Sequence, residues 1–135
     1  MPTFSRGQDP QLDIEGAFGS LAAGPQSGLI VLPDLVTAVH RKLIITLAAR
    51  HRLPSIAGIS YHANDGGLIS YGYDAVDIYR QAASYVDRIL RGASPGELPV
   101  QAPTKLELVI NMKTANALGL AIPQSVLIRA ERLIE

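Results

Sequence analysis

The chain has 135 residues, 47% of them hydrophobic, with a mean hydropathy of +0.19, so it can bury the core of one modest domain and is not a disordered segment. Twelve Lys and Arg balance twelve Asp and Glu, which argues against nucleic-acid binding, where a basic face displaces counterions. There is no cysteine, so disulfides and thiolate metal sites are excluded, while the compartment stays open.

Residues 1–10 read as a loose leader. They lack a charged segment followed by an apolar stretch, so they are not expected to be a secretory signal, and no apolar run nears the ~20 residues needed to span a bilayer. Leu12, Ile14, Phe18, Leu21 and Ala22 predict a helix from Gln11 to about Ala23, which Gly16 and Gly19 weaken by about 1 kcal/mol each. Gly24 to Gly28 is a loop. Gly28-Leu-Ile-Val-Leu32 is a continuous apolar run, the pattern of a strand buried on both faces of a parallel sheet. Pro33 ends it, and Asp34 is placed to cap a helix that runs to about His51 on Val36, Val39, Leu43, Ile44, Leu47 and Ala48. Arg50, His51 and Arg52 fall in its last turn, where cations favour the helix dipole.

Ser55 to Ile59 reads as a strand and Ser60 to Asp65 as a polar loop. The stretch Gly66-Gly-Leu-Ile-Ser-Tyr-Gly-Tyr-Asp74 organises the rest. Its glycine turn leads into a strand over Leu68–Tyr71, then a second glycine, then Asp74 as the cap of a helix from Ala75 to Gly92. Such strand-to-helix junctions are where open α/β sheets bind ligands. Ala93 to Pro103, with three prolines, is connector. Leu106 to Ile110 is a fourth strand, and Asn111 caps a short helix closed by Gly119. Pro123 is expected to open a final helix containing Val126, Leu127, Ala130, Leu133 and Ile134.

Helices between apolar strands imply an α/β fold with a mostly parallel sheet and flanking helices. His40 and His51 lie eleven residues apart on one predicted helix, about 16 Å along its axis, and His62 reads as a surface loop histidine, so no metal site is expected. There is no G-x-G-x-x-G, no Walker A sequence and no G-x-S-x-G elbow, so no cofactor and no catalytic set are expected. Asp34 and Asp74 read first as caps. The alternative is that one of them also faces a ligand where strand ends converge. Of Ser70 and Tyr71, one should point inward and the other to the crevice. Arg80, Arg88 and Arg91 should pair with Asp77 and Asp87 on a solvated helix face.

Several segments, in order, resemble a known family: Ile30-Val-Leu-Pro-Asp34, Leu53-Pro-Ser-Ile56, Gly66 to Asp74, Ala82 to Gly92, Leu98-Pro-Val100, Pro103 to Asn111, Lys113-Thr-Ala115, Ala117-Leu-Gly-Leu120 and Ile122-Pro123. Together they are similar to the C-terminal part of ABC-transporter substrate-binding proteins of the uncharacterised and aromatic-amino-acid-binding type. The resemblance implies a partial type I periplasmic-binding-protein fold, in which two α/β lobes close on a small solute and dock on a membrane permease. It places residues 11–65 in the second lobe and 66–135 in hinge-crossing strands and helices, with the helix from Ala75 packing on the first lobe. It implies ligand-binding roles for Asp34, Ser60 and Tyr71, with Asp34 holding the amino group of an amino-acid ligand by a charge-assisted hydrogen bond. Ile59 stands where amino-acid-binding relatives often carry a polar residue.

The chain starts past the midpoint of a full-length relative, so the first lobe is expected to be missing and binding by the chain alone to be weak. The expected function is non-catalytic binding of a small organic solute, with an amino acid as the candidate, for an ABC permease in a periplasmic or membrane-anchored extracytoplasmic setting. The alternative is a stand-alone remnant that self-associates as a homo-oligomer through the apolar face of Val76, Tyr79, Ala83 and Val86.

Overall fold

The computed structural model describes residues 9–21 and 27–135. Most of the expected leader, the end of the first predicted helix and most of the loop before Gly28 lie outside the described residues. Helix α1 (Pro10–Leu21) starts with proline in its first turn, and the Asp9 carboxylate accepts from Gln11 N at 3.0 Å. Ile14 and Phe18, four residues apart, form its buried face, while Gly16 and Gly19 lie on its exposed face.

Strand β1 (Leu29–Val31) leads to α2 (Leu35–Val39) and α3 (Arg41–Arg50). The single helix expected here breaks at His40, whose φ of −91° and ψ of 14° leave helical geometry. Asp34 caps α2 as expected: its Oδ1 accepts from Val36 N at 2.7 Å, and Thr37 Oγ1 accepts from Asp34 N at 3.2 Å. Strand β2 (Ser55–Ala57) is followed by α4 (Tyr61–Asn64), so the expected polar loop contains a helical turn. Strand β3 (Ile69–Tyr73) extends past Tyr71, through Gly72. A Cβ at Gly72 would lie 1.9 Å from the Gly58 carbonyl oxygen, so only glycine lets the two backbones approach this closely.

Helix α5 (Ala75–Leu90) is capped by Asp74. After a 3-10 turn at Pro95–Glu97 come β4 (Leu106–Asn111) and α6 (Met112–Leu118), the latter capped by Asn111 and closed by Gly119 at φ 72°. The expected long final helix does not form. Only α7 (Gln124–Leu127) is helical, and Leu133 and Ile134 lie in β5 (Arg132–Ile134). The edge of β4 pairs in parallel with this segment, Ile110 opposite Leu133 and Asn111 opposite Ile134. Ladder hydrogen bonds to that edge outweigh the helical spacing of a short apolar run.

The described strands form one five-stranded sheet in the order β1-β2-β3-β4-β5, one more strand than expected. All neighbours are parallel except β3 and β4. One core joins Ile14 and Phe18 of α1 to Ile44, Leu47, Ala48 and Leu53. Val109 and Ile110 of β4 are fully buried. By contrast α5 buries no residue: Val76 is 65%, Tyr79 76%, Val86 54% and Leu90 82% exposed, as expected for its apolar face. Its charges pair as expected at Asp77–Arg80 (3.7 Å) and Asp87–Arg91 (3.0 Å), while the Arg88 guanidinium lies 5.8 Å from the Tyr85 ring centroid.

Candidate functional site

The parallel register sets Val31, Ala57 and Ser70 side by side, so the chain leaves β1 and β2 and passes Tyr71 of β3 along one edge of the sheet. Asp34 and Ser60 start the helices that follow β1 and β2. The three expected site residues therefore share the carboxyl edge of the parallel strands, although no hydrogen bond joins any two of them. Asp34 is exposed. Its Oδ1 is engaged in capping, and its Oδ2 has no protein donor among the described residues. Ser60 makes no side-chain capping bond, and its carbonyl accepts from Ser70 Oγ at 3.4 Å. Ser70 is fully buried and Tyr71 is 47% exposed, the inward-outward division that strand alternation requires.

This edge is apolar at its rim. Leu32, Leu35 and Tyr73 are exposed together with Tyr71. The hollow between the ends of β1 and β2, walled by Pro33, Thr37, Arg41, Ile59 and Tyr61, has a volume of about 10 Å³, room for about one water. The described residues thus offer a wall for a ligand rather than an enclosed pocket.

Arg41 was not anticipated from the sequence. Its Nε donates to Asp65 Oδ2 at 2.6 Å, its Nη1 to the Ala38 carbonyl at 3.3 Å, and its guanidinium lies 5.4 Å from the Tyr61 ring centroid. A signal was available: a cation in the first turn of a helix opposes the dipole and calls for an acidic partner.

His62 corrects the expectation of a surface histidine, being 2% exposed. Its Nε2 is 3.0 Å from Ser55 Oγ, which also accepts from Leu68 N at 3.4 Å. Burial pushes the imidazole pKa below its usual value, and the Asp65 charge opposes that shift. The ring lies against Gly67, where a Cβ would come within 2.2 Å of it. Read as loop, residues 60–65 gave no sign that a helical turn would place this ring beneath β2. The same turn is held on both sides: Ala63 N donates to Ser70 Oγ at 2.9 Å, and Asn111 Nδ2 donates to the Ala63 carbonyl at 3.0 Å. These bonds fix Ser60 and Tyr61 at the edge.

Asp74 is not a partner for Asp34. It caps α5 through Val76 N and Asp77 N and takes a hydrogen bond from Lys105 Nζ at 2.7 Å. That hydrogen bond from Lys105 is the main cause holding its carboxyl below the usual range. Among the described residues, no three His, Asp or Glu side chains gather as a metal site would require, and no helix is long and apolar enough to cross a membrane.

A mostly parallel sheet with flanking helices and an open, apolar carboxyl edge defines part of a periplasmic-binding-protein-like fold. The family model described as ABC transporter substrate binding protein matches residues 10–134, and the chain belongs to that family. Among solved structures it is similar to a conserved domain protein of Vibrio cholerae O1 biovar El Tor, at 32% identity and a TM-score of 0.80 over 91% of this chain and 41% of that one. It is also similar to an ABC domain from Streptococcus pneumoniae in complex with L-Trp, at 25% identity and a TM-score of 0.80 over 92% of this chain and 42% of that one. A ligand-free, open substrate-binding protein with adhesive properties from Clostridium difficile shares the fold at 19% identity and a TM-score of 0.64, over 92% and 41% of the two chains. No curated protein matches. The chain spans about two-fifths of the length of these solved proteins.

Proposed function

We propose that this chain supplies one wall of the solute cleft of an ABC-transporter substrate-binding protein, that the solute is an aromatic amino acid, and that the chain performs no chemistry on it. The observation that carries this reading is the carboxyl edge itself, where a carboxylate with a free oxygen, a serine and a half-exposed tyrosine stand within an apolar rim. Asp34 Oδ2 accepts from the ligand ammonium, the Ser60 hydroxyl bonds to its polar end, and Tyr71 offers a face to its ring. The L-Trp bound by the Streptococcus pneumoniae relative supports the ligand class. Residues 11–65 form second-lobe elements and 66–135 the elements that cross to a first lobe, which covers α5. The working protein is extracytoplasmic and delivers its solute to a permease.

One wall covers less of a ligand than the 70–90% that a closed pocket does, so affinity for the chain alone is weak. The chain contains no tryptophan, so added L-tryptophan reports its own surroundings by fluorescence. A saturable blue shift, lost with Asp34→Asn, reversed by excess phenylalanine and unaffected by excess alanine, is the expected result if the site selects aromatic amino acids. Tight binding, or binding indifferent to Asp34→Asn, contradicts the assignment.

A second reading rests on the exposed apolar stripe of α5. It takes that face as the contact between copies of this chain in a homo-oligomer. Light scattering that reports a dimer, dissociated by Tyr79→Lys, supports it, and a monomer at high concentration contradicts it.

A further inference from the structure

A hollow much larger than the one between the ends of β1 and β2 lies away from the carboxyl edge. It lies at the opposite edge of the sheet, between α3, α6 and the start of β2, with a volume of about 310 Å³, at the lower end of the range of small-molecule sites. Ala48, Leu53 and Leu118 give it an apolar floor, and Arg52 and Lys113 stand at its walls. Neither cation has an acidic partner among the described residues.

Arg52 breaks a local rule to stand there. Leu53 N bonds to Ala48 O at 2.8 Å and Arg52 N to Ala49 O at 3.1 Å, a helix ending whose left-handed position is usually glycine. Here it is arginine, at φ 53°. Its guanidinium reaches across the hollow and donates to the Leu118 carbonyl at 3.4 Å, a long bond that leaves its other donors free. A strained, cationic residue over an apolar floor, in a lining that holds a second cation and no Asp or Glu, is complementary to one ligand chemistry.

We propose that this groove is a second binding site, for a small organic anion with an apolar body, its acid group held by Arg52 and Lys113 and its body laid on Ala48, Leu53 and Leu118. The site is separate from the solute edge and does not depend on the reading given for it.

The test is an amide-shift titration of the full chain with sodium octanoate, using octanol and acetate as body-only and head-only controls. Saturable shifts around Arg52, Lys113 and Leu118, with Asp34 and Ser60 unmoved, are expected, and both controls should bind more weakly. Arg52→Gly relieves the left-handed strain, so it should keep the fold while weakening octanoate about tenfold, the loss of one charge-assisted hydrogen bond. Lys113→Ala, on the exposed side of α6, should weaken it by a similar factor. No saturable shift at the groove, equal affinity for octanol, or unchanged affinity in the double variant Arg52→Gly/Lys113→Ala overturns the proposal.

Discussion

Two amphipathic helices in this molecule meet opposite fates. In α3 the apolar stripe of Ile44, Leu47 and Ala48 is sealed beneath α1 by Ile14 and Phe18. In α5 a stripe of the same kind, Val76, Tyr79, Val86 and Leu90, remains open to solvent. Helix α5 is capped by Asp74, whereas α3 starts at His40 with no side-chain cap, so capping does not decide which stripe is covered. What separates them is whether the described residues supply a covering layer. The contrast shows that helical periodicity encodes a demand for burial without naming the surface that meets it.

The sharpest way to break this comparison is to truncate one side chain from each half. Phe18→Ala should cost about 3–5 kcal/mol, since it opens a cavity in a sealed core. Val86→Ala should change stability by less than about 0.5 kcal/mol, as at an uncovered surface. Urea midpoints compare the two, and a large loss at Val86 would mean that α5 is covered in solution. Gly72→Ala drives a methyl group into the Gly58 carbonyl, and overpacking against backbone should cost about 1–3 kcal/mol or more, read as a lower urea midpoint.

Acid should act on the sealed half. The folded-state pKa of His62 lies below its unfolded value of about 6.5, so the unfolded chain takes the proton first. The stability contributed by neutral His62 is present above that value and is lost as pH falls below it toward the folded pKa. The charged groups that act on the ring are Asp65, and through it Arg41. Urea midpoints should fall on the acid side, and His62→Gln should flatten that decline. A small gain is expected at Gly16, where nothing lies within 4 Å of an added Cβ: Gly16→Ala should raise stability by about 0.5–1 kcal/mol, read as a higher urea midpoint.

Much of the fold was legible from the chain because capping and apolar runs are local. Asp34, Asp74 and Asn111 cap where the sequence placed them, and the mostly parallel sheet follows from its apolar strands. The fifth strand was not legible. Leu133 and Ile134 fit a helical stripe equally well, and only the unpaired edge of β4, distant in sequence, decides for β5. His62 was hidden for a similar reason, since its burial depends on Ser55, Gly67 and a turn of helix that polar composition disguises. At the site, alternation required one of Ser70 and Tyr71 to point inward without saying which, and burial makes it Ser70. Arg41 was missed because its partner, Asp65, lies 24 residues away.

The central claim, that the carboxyl edge of β1–β3 is the solute-facing wall, is tested most directly by mapping amide shifts of the labelled chain as L-tryptophan is added. The account predicts perturbations that saturate at Asp34, Ser60 and Tyr71 and spare α1 and α6. Shifts confined to the opposite edge, or none at these three residues at saturating ligand, would contradict it.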